Sequence, residues 1–271
     1  MPALEMALQI VTVRPGDRAP YAAGIAALER GTSYPLGTDR FELDHGPDYF
    51  AFFDRLGEAT YEVALDGPRV VAIACRVLRA RPFPCWYLCD LKVHPEYRGQ
   101  RIATRFARHA FARAYGRCGR GYAISMNEPG AAQNRVERLV ARLPLVPFTT
   151  TPLSLYSLDT DEALELAPLV TRHRGPHAYL SLEGRKDLVL ASTGARLPLM
   201  HAQFGPCAEA GEPRRAPCPP RAGCVHMLCT PAGDPLDRAL SEAGVTPSAS
   251  AVVLHHRMRR ASFDFVLTSD I

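Results

Sequence analysis

Lysine is nearly missing from this 271-residue chain: only Lys92 and Lys186 occur, and arginine supplies the other basic side chains. There is no run of five or more basic residues and the net charge is +4, so a polynucleotide partner is not indicated. No apolar stretch approaches the roughly 18 residues that a spanning helix needs, which excludes a membrane partner of that kind. The N-terminus lacks the basic and long apolar regions of a secretory signal. Cysteine is present, but never as a C-x-x-C pair. Cys207, Cys218, Cys224 and Cys229 fall close together with a spacing that fits no zinc pattern, so no metal is expected. Cys75, Cys85 and Cys89 sit in apolar runs, where cysteine behaves as a small buried hydrophobe. These absences together predict a cytoplasmic protein. What is there is a 47% hydrophobic chain, long enough for one large or two modest domains with a real core.

Periodicity predicts an alternation of strands and helices. Ile10 to Val13 reads as a first strand and Tyr21 to Arg30 as a helix stopped by Gly31. Residues 31 to 46 read as a polar loop, and Asp48 to Leu56 as a second short helix. Thr60 to Leu65 and Arg69 to Leu78, joined at Asp66-Gly67-Pro68, predict a β-hairpin. Trp86 to Val93 continues the sheet. The clearest helix follows: Ile102, Ala103, Phe106, Ala107, Ala110, Phe111 and Ala114 fall on one stripe, ending near Gly116. Tyr122 to Met126 reads as a strand. Pro129 to Leu143 reads as a helix, with Asn127 as a natural cap.

The later residues predict a helix at 161–169, strands at 178–182, 188–192, 197–203 and 225–229, a helix near 234–242, and strands at 251–258 and 263–268. A Pro-rich loop spans 205–223. The fold class is α/β (α+β), a mixed central sheet flanked by helices. The expected division is 1–157 and 158–271.

Between the strand ending near Val93 and the helix beginning near Arg101 lies Val93-His94-Pro95-Glu96-Tyr97-Arg98-Gly99-Gln100-Arg101-Ile102-Ala103. A basic, glycine-containing turn that opens a helix suits an anion, because the first helical N–H groups lack intrahelical partners and carry the positive end of the dipole. The segment resembles motif A of the GCN5-related N-acetyltransferases (GNAT family), roughly V-x-P-x-x-[QR]-x-x-G-x-[GA]. Val93, Pro95, Arg98 and Ala103 match; Arg101 stands where the family has glycine. The order of elements over about 8–157 is also that of the family, and 158–271 could be a degenerate second copy. That second part could complete the acceptor pocket, cover the first domain or mediate homodimerisation.

The resemblance implies an acyl-CoA-dependent N-acyltransferase, with acetyl-CoA as co-substrate and a small-molecule or peptide amine as acceptor. Its pyrophosphate would lie on the N–H groups of Gly99, Gln100, Arg101, Ile102 and Ala103, with Arg98, Arg105 and Arg108 as candidates for the outer phosphates. Backbone groups of Leu91 and Val93 would hold the pantetheine arm, and Asn134 would touch the coenzyme. A backbone N–H within Cys89 to Lys92 would polarise the thioester. Asp90, a carboxylate inside an apolar strand, is the first candidate for the base, with Glu128 second. Tyr122 is a candidate acid, with Tyr34, Tyr156 and solvent as alternatives. Asp39, Glu42, Asp44, His45 and Asp48, among Tyr34, Phe41 and Tyr49, would suit a cationic amine. Three other readings stay open: a non-catalytic acyl-CoA-binding or sensing protein, a transferase of a longer acyl chain, and an α/β module without ligand.

Overall fold

The computed structural model describes residues 8–30, 32–36, 39–127, 134–141, 147–208 and 218–271. In chain order the elements are β1 (Gln9–Val13), α1 (Ala19–Arg30), β2 (Ser33–Leu36), β3 (Asp39–Asp44), α2 (Tyr49–Asp54), β4 (Glu58–Asp66), β5 (Arg69–Arg79), β6 (Cys85–Val93), α3 (Ile102–Arg117), β7 (Gly121–Met126) and α4 (Arg135–Val140). They continue with β8 (Thr149–Leu158), α5 (Thr160–Glu165), α6 (Ala167–Arg174), β9 (Ala178–Ser181), β10 (Asp187–Leu190), β11 (Leu199–Gln203), β12 (Val225–Pro231), α7 (Pro235–Glu242) and β13 (Ala249–His256). This is the expected mixed α/β architecture.

Among the described residues one sheet holds ten strands, in the order β1-β4-β5-β6-β7-β13-β8-β12-β11-β9. It runs unbroken past residue 157. The strand beside β7 is β13, from the far end of the chain, paired antiparallel from Ala251↔Met126 to His256↔Gly121. Strand alternation sorts the core onto two faces. Ile73, Cys75 and Val77 pack with Ile25, Leu28 and the aromatics of α2. Ala64, Val71 and Ala72 pack under Ile102 and Phe106 of α3 on the opposite face. The Trp86 indole N–H donates to the Ala114 carbonyl at 2.9 Å, pinning α3 to β6.

Three expectations change. The polar loop of 31 to 46 holds the hairpin β2–β3, and β10 adds to it in register from Asp187↔Asp44 to Leu190↔Phe41. Its turn-forming residues read as loop because the strand that completes the small sheet lies about 140 residues away, beyond any local window. Residues 161–169 are two short helices, α5 and α6, the second with proline in its first turn. Residues 263–268 are not a strand. Phe263, Phe265, Val266 and Leu267 are buried as a tail, Phe263 takes a φ of 59°, and a single helical turn follows at Thr268–Asp270. The apolar run there reflects burial without strand pairing; Arg79 grips Asp270 instead.

Candidate functional site

The parallel pairing of β6 with β7 runs from Trp86↔Gly121 to Leu88↔Ala123 and stops. Beyond that point β6 stays with β5 and β7 stays with β13, so the two strands part and leave edges facing a gap. Unpaired strand edges can accept another chain of amide groups. Large apolar side chains that are strongly exposed number four among the described residues, and Leu88, Leu91 and Met126 are three of them, all on these parting strands. An apolar-rimmed slot with free backbone groups results.

A bulge lies on the same stretch of β6. Cys75 faces Cys89 and Ile73 faces Lys92, so Asp90 and Leu91 together oppose Ala74 alone. Asp90 takes a φ of 51°, in the left-handed region that a non-glycine residue enters at a cost. The Asp90 carboxylate is buried, bonded by the Lys92 ammonium and by the Tyr49 hydroxyl of α2. Lys92 also reaches Glu29 at 3.4 Å, and Glu29 meets the buried His45 ring. Burial alone would push the Asp90 carboxyl up. The Lys92 charge, His45 and the two hydrogen bonds outweigh it and hold Asp90 below the usual carboxylate range. Burial likewise opposes the charged form of Lys92, yet Asp90, Tyr34 and Glu29 raise it above an ordinary lysine. Asp90 is therefore a fixed anion within a buried ion pair, held by the chain's lysine at 92.

The turn before α3 has two left-handed residues, Gly99 at φ 85° and Arg101 at φ 57°. Arg101 thus occupies a conformation that glycine adopts freely, which explains in backbone terms why a glycine suits that position. The first helical bond runs from the Arg105 N–H to the Arg101 carbonyl, so the N–H groups of Ile102, Ala103 and Thr104 precede the ladder. Arg98, Gly99, Gln100 and Arg101 are exposed, and a Cβ built on Gly99 would meet nothing within 4 Å. The Arg98 Nε donates to the Val93 carbonyl at 3.4 Å, beside the parting strands. The turn is open and lined by N–H groups without helical partners. Arg105 is committed elsewhere, donating to the Leu8 carbonyl at 2.6 Å.

Asn134 caps α4, and its amide donates to the Met126 carbonyl at 2.9 Å and the Ser125 carbonyl at 3.2 Å. It ties the described helix, which begins at Arg135, to the end of β7, at the far wall of the slot. Tyr122 is not brought to the slot. Its ring is fully buried, stacked on Tyr87 at 4.9 Å, and its hydroxyl accepts from Arg79 at 2.9 Å. Burial drives its phenol well above the ordinary value. Glu128 and Pro129 lie outside the described residues.

Three of the four acidic residues of the 31–48 segment named above are already engaged among the described residues, Glu42 being the exception. Asp39 accepts from Ser192 and from its neighbour's N–H, Asp44 from Arg196 at 2.8 Å and the Gly46 N–H at 2.8 Å, and Asp48 caps α2 through the Phe50 N–H at 3.0 Å. From that side the bulge is joined by His45 and Tyr49, which the sequence had singled out, by Glu29, which it had not, and by one residue from the second half, Lys186. Its ammonium lies 4.6 Å from the centre of the Phe52 ring, near enough to Asp90, Lys92 and Arg55 for their charges to act on it. The signal that could have found it was its rarity.

Residues 29–139 match the model of the acetyltransferase (GNAT) family. Among solved structures, the chain is similar to a tandem GNAT protein from the clavulanic acid biosynthesis pathway, at 14% identity and a TM-score of 0.46, over 92% of this chain and 98% of that one. It is also similar to an IAA acetyltransferase from Bacillus cereus (16% identity, TM-score 0.36, 55% and 81% covered). A third is the ribosomal-protein-S18-alanine N-acetyltransferase of Escherichia coli (13% identity, TM-score 0.38, 54% and 81% covered). No curated protein matches the chain at a significant level.

Proposed function

We propose that this chain, whose residues 29–139 match the GNAT-family acetyltransferase model, is an acyl-CoA-dependent N-acyltransferase that uses acetyl-CoA and a primary amine. The observation that carries this reading is the left-handed Gly99–Arg101 turn opening α3 directly beside the parting strands and the β6 bulge. The N–H groups of Gly99 to Ala103, with Arg98, hold the pyrophosphate. The free edges at Leu91 and Val93 pair with the amides of the pantetheine arm, and Asn134 fixes the opposite wall.

The bulge then meets the thioester carbonyl. An N–H within Cys89 to Lys92, turned out of the ladder, donates to the oxygen as it becomes an oxyanion; one such donor contributes roughly 2.7–4 kcal/mol. The amine nitrogen forms a bond to the carbonyl carbon, the C–S bond breaks, and the sulfur leaves as thiolate. A free alkyl ammonium has a pKa near ~10.4 and must first lose a proton. Asp90 is the carboxylate at this point, but a carboxyl held below its usual range is a weak base, so water relays the proton outward. Tyr122 is locked on Arg79, which leaves solvent or Tyr34, close enough to Lys92 and Asp90 for their charges to act on it, to reprotonate the thiolate. That locked pair of candidate acid and base favours one second reading, a non-catalytic acyl-CoA sensor.

Calorimetric titration with acetyl-CoA tests the donor site. The wild type is expected to bind, and an Arg98→Ala, Gly99→Asp double variant to bind at least 100-fold more weakly. No binding by folded wild type ends the reading. Binding without turnover of any amine selects the sensor.

A further inference from the structure

Of the two lysines, Lys92 has Asp90 and Glu29 as partners, whereas Lys186 has no hydrogen-bond or ion-pair partner among the described residues. It lies on the turn between β9 and β10, which is fixed firmly. The Lys186 N–H donates to the Leu182 carbonyl at 2.9 Å, and the Gly184 N–H donates to the Asp187 carboxylate at 3.1 Å. On the other side the Gly184 carbonyl presses against Gly46, where a Cβ would stand 2.3 Å from its oxygen. The first-half loop and the second-half turn are therefore in backbone contact, and Lys186 is held over Phe52. One helical turn earlier on the same α2, Tyr49 binds Asp90 at the bulge.

The charges around Lys186 leave one of their kind unanswered. From α2 and its end comes Arg55, which itself holds the Ser269 carbonyl. From β6 come Lys92, Cys89 and Asp90, the last already bonded twice. From β11 comes His201, kept neutral by burial and by Lys186 and Arg55, with its pKa pushed down to about 3. On the turn itself Asp187 is bound by Arg196, and Glu183 is exposed to solvent. Lys186, His201, Arg196 and Arg221, together with Glu183 and Asp187, line a cavity of about 160 Å³. Lys186 is half-buried, and an ammonium held there without a counter-ion can take an anion from outside.

We propose that Lys186 makes the acceptor site selective for primary amines that carry a carboxylate, which it seats on its ammonium. This rests on the acyltransferase reading. Asp39, Asp44 and Asp48, which would have favoured a polyamine, are held by Ser192, Arg196 and the start of α2, and the second half brings the opposite charge. Burial, with the Arg55 and Lys92 charges, lowers the Lys186 pKa to about 7. The site should thus bind a carboxylate best below that pH, lose the preference as pH rises, and take up a proton on binding near and above that pH.

The test compares ω-amino acids with their primary amides, acetyl-CoA being the donor, on the full-length protein. At pH 6 the wild type is expected to favour the acids at least 30-fold in kcat/KM, with the ratio falling up to tenfold per pH unit above 7. Lys186→Met should erase the ratio while acetyl-CoA affinity stays unchanged. Lys186→Arg should keep it and abolish its decline with pH. Calorimetric titration of the same acids and amides into coenzyme A-saturated protein reads the preference without turnover. Equal handling of acids and amides by the wild type, or a preference that survives Lys186→Met, overturns the proposal and leaves the acyltransferase reading standing. Absence of acetyl-CoA binding would remove both.

Discussion

The donor side and the acceptor side of the slot are built by opposite means. The proposed donor side is one contiguous stretch, Val93 to Ala103, whose φ angles, glycine and helix start leave N–H groups open locally. The acceptor side draws on α1, the β3–α2 loop, β6 and the β9–β10 turn, so its groups meet only when residues 29, 45, 49, 90, 92 and 186 converge. Its energetics differ accordingly. The donor turn is exposed and has little to lose, while the acceptor side buries charges that are stable only in each other's company.

Asp90→Asn breaks this contrast most. It leaves the buried Lys92 with Glu29 alone, and about 3 kcal/mol of stability should be lost at neutral pH. The sign with pH follows from the lowered Asp90 pKa: its contribution is complete above the ordinary carboxylate value and disappears as pH falls through the folded one. Urea unfolding of wild type and variant should therefore diverge at pH 7 and converge in strong acid. Equal stability at pH 7 would mean the ion pair is not formed.

Gly46→Ala tests whether the acceptor side depends on the contact between the halves. A methyl group 2.3 Å from the Gly184 oxygen, on a residue at φ 68°, should cost about 2 kcal/mol and displace the Lys186 turn. Acetyl-CoA affinity should be unchanged while the acid-over-amide ratio drops. A parallel loss of both would tie the two sides together and erase the distinction. The smallest effect is expected at the donor turn. Arg101→Gly relieves a left-handed φ of 57° and should stabilise the protein by about 1 kcal/mol, less whatever entropy glycine returns to the unfolded chain. Acetyl-CoA should bind as well or better, read by melting temperature and calorimetry.

The same division governs what could be read in advance. The β4–β5 hairpin, β6, α3 and β7 were legible because period and turn residues are local signals, and the motif stood at their junction. The β2–β3 hairpin was not, since its third strand arrives from β10. Nor was the place of β13 between β7 and β8, which no local pattern encodes. Asp90 was legible as an oddity, a carboxylate in an apolar strand. Its partner is Lys92, two residues on, brought to the same side by the bulge. Tyr122 was legible only as a tyrosine near the right strand; strand alternation turned it into the core and onto Arg79.

By itself, the sequence determined the donor turn, because a backbone that must bend left at residues 99 and 101 and then start a helix needs no distant partner to expose its N–H groups. Only the tertiary structure decided what faces that turn across the slot. Charges there are set by burial and by neighbours drawn from both ends of the chain, and Lys186 becomes a binding group only because β10 joins β3 and carries it over Phe52.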